Sequence, residues 1–110
     1  MPNVKIYVDH SLPERVRHEI QATLPALGKL LCARLQVDIT ACQFAVMSVY
    51  AMAGLPSVNL ELAILPKPER TRKRLTDLAE DIQQLMGEAA GTHIAVRISL
   101  LDPSTYIALK

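Results

Sequence analysis

Apolar residues occupy alternate positions at the start of the chain, where Val4, Ile6 and Val8 alternate with Asn3, Lys5, Tyr7 and Asp9. A period of two is that of a half-buried strand, whose successive side chains point to opposite faces of a sheet. The period then lengthens. Val16, Ile20, Leu24, Leu27, Leu31 and Leu35 recur at steps of three or four, a single stripe on a helix that runs to about Leu35. Ser11-Leu12-Pro13-Glu14 has the form of a capping box and predicts that this helix starts there. Pro25 removes one intrahelical hydrogen bond, which predicts a bend near residues 22–25 and not a second helix. From Ala41 to Tyr50 the chain is apolar, with Gln43 and Ser48 its chief polar members, and reads as a second, mostly buried strand.

The same series then begins again. Pro56-Ser57-Val58-Asn59-Leu60-Glu61-Leu62 copies the apolar spacing of Pro2 to Val8 at an offset of 54 residues. Pro68-Glu69-Arg70-Thr71-Arg72 echoes Pro13-Glu14-Arg15-Val16-Arg17 at an offset of 55, each opening a helical stripe. The second stripe is Leu75, Leu78, Ile82, Leu85, Met86 and Ala89, closed by Gly91 where a helix C-cap favours glycine. Ile94 to Leu101 alternates like the strand from Ala41, and the alignment sets Arg97 opposite Gln43. Residues 1–110 are therefore expected to form one domain of two pseudo-repeats, 2–50 and 56–101.

Each unit predicts two parallel strands joined by a helix. Right-handed crossovers place both helices on one face of a four-stranded mixed sheet, an α/β (α+β) architecture. The other face is left bare. By alternation it carries Lys5 and Tyr7, then Gln43, Ala45, Met47 and Val49, then Asn59, Ala63 and Leu65, and finally Arg97, Ser99 and Leu101. That mixture is too apolar for water and too polar for a core, so the face is expected to meet copies of itself.

Composition narrows the function. Half of the 110 residues are apolar but only 4% are aromatic, with no Trp, so the core is aliphatic and base-stacking platforms are scarce. A net charge of +1 supplies no broad basic face for nucleic acid. No apolar run is long enough to span a bilayer and no leader pattern is present, so a cytoplasmic protein is expected. Cys32 and Cys42, ten apart in apolar surroundings, read as two buried thiols. The spacing of His10, His18 and His93 gives no metal site with them.

The candidate chemistry lies at Pro2. If Met1 is removed, Pro2 presents a secondary amine at the head of an ordered strand, where partial desolvation lowers its pKa and leaves part of it as a neutral base. A structural reading stands beside this one, because proline is also well tolerated as the first residue of a strand.

The opening Met1-Pro2, the strand behind it and the doubled β-α-β period resemble the tautomerase superfamily over nearly the whole chain. Its branches include 4-oxalocrotonate tautomerase, 5-carboxymethyl-2-hydroxymuconate isomerase and macrophage migration inhibitory factor. Length and doubling look most like the latter two, as does the ending Ile107-Ala108-Leu109-Lys110 like that of the isomerase. The resemblance implies a homotrimer and a cofactor-independent tautomerase or isomerase. Its N-terminal proline, here Pro2, would shuttle a proton on an enol, dienol or 2-oxo acid, while cations hold a carboxylate substrate. Two arginines of the short tautomerases fall on Leu12 and Gln43, so those clamps are absent; Arg97 stands at the duplicated position, and Lys67 and Arg70 lie near an arginine of the isomerase. The alternative is a non-catalytic trimeric binding or structural module of the same fold.

The candidate substrate-binding residues are thus Arg97, Arg70, Lys67, His10, Gln43 and Tyr106, with no metal and no cofactor. Each has a plainer reading. Lys67, Arg70, Arg72, Lys73 and Arg74 cluster where positive charge opposes a helix dipole, which calls for an anion or for solvation, with Lys73 and Asp77 as an i,i+4 pair. Arg97 can instead pair with Glu61 on the same sheet face. His10 closes the first strand and Tyr106 sits in the tail after Asp102-Pro103, where each can simply pack.

Overall fold

The alternation that opens the chain becomes β1 (Asn3–Asp9), and its apolar half, Val4, Ile6 and Val8, is wholly buried. The computed structural model describes residues 2–110, so the expected removal of Met1 lies outside the described residues. Behind β1 come α1 (Glu14–Leu35), a 3-10 turn (Ile39–Ala41), β2 (Gln43–Val49), β3 (Val58–Ile64), α2 (Arg72–Ala90) and β4 (Ile94–Leu100). The strands form one four-stranded sheet in the order β2-β1-β3-β4. β1 runs parallel to β2, β3 parallel to β4, and β1 antiparallel to β3, so the sheet is mixed.

Register settles which residues share a face. Val4 pairs with Phe44 and Leu62, and Ile6 with Val46 and Leu60, while Leu60 and Leu62 pair with Val96 and Ile98. This apolar side meets Val16, Ile20, Leu27, Leu31 and Leu35 of α1 and Leu78, Ile82, Met86 and Ala90 of α2, an aliphatic core in one layer between sheet and helices. The opposite side shows Asn3, Lys5 and Tyr7 of β1, Gln43, Ala45 and Met47 of β2, Asn59, Glu61 and Ala63 of β3, and Ala95, Arg97 and Ser99 of β4.

Two local expectations are corrected. Ser11 does not cap α1; Pro13 stands at the N-cap with no side-chain hydrogen bond, and the Ser11 hydroxyl donates instead to the Asp9 carboxylate at 2.6 Å. This charge-assisted bond holds the hydroxyl in the turn, where it caps no helix amide. β2 begins at Gln43 and not at Ala41, because Asp38 accepts from the Thr40 amide and winds residues 39–41 into the 3-10 turn. α1 does continue through Pro25, which lies on its exposed side. It ends at Gln36 in the left-handed conformation (φ 53°), whose N–H donates to the Cys32 carbonyl. α2 is capped by Thr71, which accepts from the Arg74 amide at 3.3 Å, and closes on Gly91 at φ 68°.

Asp9 ties the far end of β1 to the connection between β2 and β3. Besides Ser11, its carboxylate accepts the Ala51 amide at 3.2 Å, and its own N–H donates to Ser57 at 2.9 Å. The Ser11 and Ala51 hydrogen bonds lower its pKa from 3.8 to about 2. A carboxyl whose pKa is depressed by folding contributes stability that is full above its unfolded pKa and is lost as pH falls toward the folded value. Chemical denaturation should therefore show stability dropping between about pH 4 and pH 2 in the native protein, and a shallower drop in Asp9→Asn. Leu60, at the centre of the sheet and wholly buried, sets the scale for the core, and Leu60→Ala should cost about 2–5 kcal/mol in the same measurement.

Candidate functional site

Pro2 is buried at the head of β1, and its carbonyl accepts the Gln43 amide at 2.9 Å, so pairing with β2 already includes it. A proline fits there because no ladder donor is required of the first residue. Continued by one residue, the register places Pro2 beside Cys42 and across from Ile64. The structure gathers at this end of the sheet the starts of β1 and β2, the ends of β3 and β4, the C-terminus of α1 and the turn between β3 and α2.

The sequence-derived candidates divide by position. Gln43 is exposed on the open face beside Asn3, next to Pro2 in the ladder. Lys67 is exposed in the β3–α2 turn, its carbonyl accepting the Arg70 amide at 2.9 Å. Tyr106 is half-buried in the tail that follows β4, its amide donating to the Asp102 carbonyl at 2.9 Å. His10 lies at the opposite end of β1, about 26 Å from Pro2 at 3.3 Å per strand residue. There its ring packs on Tyr50 with centroids 4.2 Å apart, and within one chain it does not meet the others.

Arg70 is 7% exposed and points inward. Its guanidinium donates to the Leu65 carbonyl at 2.7 Å and to the Leu35 carbonyl at 3.3 Å, joining the end of β3 to the last turn of α1. Those carbonyls are orphans of a strand end and a helix C-terminus, where a cation is favourable. Its Nε is buried with no hydrogen-bond partner among the described residues.

Arg97 is exposed on the open face, in a cross-strand row that reads Ala45, Lys5, Glu61, Arg97. It makes no ion pair with Glu61 among the described residues; its guanidinium donates to the Asn59 side-chain oxygen at 3.0 Å, while Tyr7 donates to Glu61 at 3.4 Å. Burial, followed by the Glu61 charge and hydrogen bond, raises the Tyr7 pKa. Two cations thus flank one carboxylate around a cavity of about 300 Å³ lined by Asn3, Lys5, Glu61, Ala63, Arg97 and Ser99. On α2, Lys73 and Asp77 do form an i,i+4 pair at 3.2 Å.

Cys42, expected only as a buried thiol, is set beside Pro2 by the register. Cys32 and Cys42 are free thiols, half-buried and not fully so. Burial, and after it the neighbouring Cys32 thiol, pushes the Cys42 pKa up to about 11. Among the described residues no three His, Cys, Asp or Glu side chains are placed to hold a metal, and no helix is long and apolar enough to cross a membrane.

No protein-family model matches the sequence, and no curated protein matches it either. Solved structures do match its shape. A protein of unknown function from Vibrio cholerae superposes with a TM-score of 0.75 at 18% identity, over 97% of this chain and 83% of that one. A macrophage migration inhibitory factor-like protein from Entamoeba histolytica gives 0.69 at 16% identity, over 97% and 94%. A fused 4-OT described as a wild-type symmetric trimer gives 0.73 at 10% identity, over 97% and 90%.

The fold is tautomerase-like. The two helices and the four-stranded mixed sheet match these solved neighbours.

The Arg70 clamp yields a stability prediction. Arg70→Met leaves the Leu35 and Leu65 carbonyls without their charged donor and should cost about 1.5–3 kcal/mol in urea denaturation. Arg70→Lys should recover only part of this, since one ammonium lacks the fork that spans both carbonyls.

Proposed function

We propose that the protein is a cofactor-independent tautomerase or isomerase whose base is the amine of Pro2, freed by removal of Met1. The observation that carries this reading is the burial of Pro2 at the head of an interior strand of a tautomerase-like sheet. Desolvation of an amine there disfavours its ammonium form and supplies a neutral base without a metal or cofactor. The neutral nitrogen takes the proton of an enol hydroxyl or of an allylic carbon, and the resulting ammonium returns it to the other position.

The substrate is an enol, dienol or 2-oxo acid bearing a carboxylate. Lys67 is the exposed cation proposed to hold it at the Pro2 end, with Gln43 and Tyr106 as polar neighbours, whereas Arg97 stands on the sheet face opposite Pro2 and does not join them within one chain. Arg70 supports the site as a positioning residue through the turn that carries Lys67. His10 enters only from a neighbouring copy. The proposed assembly is a homotrimer whose open sheet faces turn inward, so that the Lys5–Glu61–Arg97 rows of three copies surround a common axis.

One observation favours the second reading, a non-catalytic trimeric binding or structural module. The guanidinium of Arg70 is already engaged by two backbone carbonyls and offers little to a substrate. Intact mass and kinetics separate the two readings. Processed protein should accelerate ketonisation of an enol 2-oxo acid such as enol-phenylpyruvate, and Pro2→Ala should lower kcat/KM by about 10²–10⁴-fold, the usual contribution of a positioned acid–base group. Equal rates, or a retained Met1, would leave the module reading.

A further inference from the structure

We infer that Cys32 and Cys42 form an oxidant-sensitive pair that closes to an intramolecular disulfide behind Pro2, fastening the last turns of α1 to the head of β2. The geometry begins at Gly28. A Cβ built on this residue would stand 3.0 Å from Cδ1 of Ile39 and 3.8 Å from Cζ of Phe44, so the segment that leads into β2 lies directly against this face of α1. One turn further along α1, on the same face, is Cys32. Two residues before Phe44 is Cys42. α1 returns antiparallel to β2, so both steps lead toward the same end of the sheet and bring one thiol over the other. The Cys42 thiol also lies 3.8 Å from the Asp38 carbonyl, and Cys32 is close enough to act on its ionisation.

Neither cysteine has another covalent role, and both are half-buried, open enough for a small oxidant. The oxidant is a hydroperoxide. The Cys32 thiolate attacks the terminal peroxide oxygen, the O–O bond breaks, and alcohol or water leaves, which gives a sulfenic acid on Cys32. The Cys42 sulfur then attacks the Cys32 sulfur, the S–O bond breaks, and the hydroxide departs as water with the Cys42 proton. Overall, two thiols are oxidised and one peroxide bond is reduced.

The order follows from the environment. Cys42 is held as a thiol and is the poorer first nucleophile. The resulting bond spans ten positions of sequence and lies on the sheet face shared with Pro2, one residue from the Gln43 amide that holds the Pro2 carbonyl.

The test uses the intact protein. It is treated with hydrogen peroxide at a few equivalents, quenched in denaturant with an alkylating reagent, and mapped without reduction. The expected product is a monomer lighter by two hydrogens, with neither cysteine alkylated, a linked Cys32–Cys42 peptide, and recovery of both thiols after dithiothreitol. Its thermal midpoint should lie above that of the reduced form. Cys32→Ser and Cys42→Ser should each abolish the linked peptide. Persistent alkylation of both thiols, accumulation of sulfinic acid on either one, or links only between chains would overturn the inference. Because the readout is mass and not turnover, it stands apart from any failure of the Pro2 chemistry.

Discussion

The whole arrangement depends on the parity of β1. Val4, Ile6 and Val8 are each completely buried, and a slip of one residue would turn all three out of the single apolar layer between sheet and helices. At roughly 1.5–3 kcal/mol for each buried aliphatic side chain, a slip of one residue would expose several kcal/mol of apolar surface and bury Lys5. The same parity fixes what is not core. It puts Lys5 in line with Glu61 and Arg97 on the open face, and it turns Pro2, which keeps step with Val4, toward the covered side.

Charge follows from this division. Among the described residues the helix side buries one guanidinium, that of Arg70, where two backbone carbonyls receive it at the ends of α1 and β3. The open side carries its charges as a row of alternating sign with polar partners, Asn59 for Arg97 and Tyr7 for Glu61. Such a face keeps its charges partnered, yet its alanines and Met47 leave apolar area that a second copy can cover.

Much of this is legible in the sequence, for identifiable reasons. The alternation of Val4, Ile6 and Val8, the stripes of α1 and α2 and the recurrence near 54 residues carry the fold class, the parallel strand pairs and open-face membership, because burial acts on every residue of an element. Local polar competition is harder to read. Ser11 has a capping residue's spacing but bonds to Asp9, and Asp38 winds a 3-10 turn where a strand is expected. The inward course of Arg70 is not legible at all, since its partners are carbonyls of Leu35 and Leu65, distant in sequence and silent about their own needs. The meeting of Cys32 with Cys42 is likewise hidden, because a spacing of ten says nothing until α1 is known to fold back over β2.

The central claim is that a proline nitrogen at the head of an interior strand is desolvated enough to be a base. The most direct measurement is an NMR titration of the processed protein carrying 15N-labelled proline, following the Pro2 nitrogen with pH. A midpoint below the ordinary α-amino range, unchanged when the open face is screened by salt, is the predicted result. A midpoint within or above that range would contradict it.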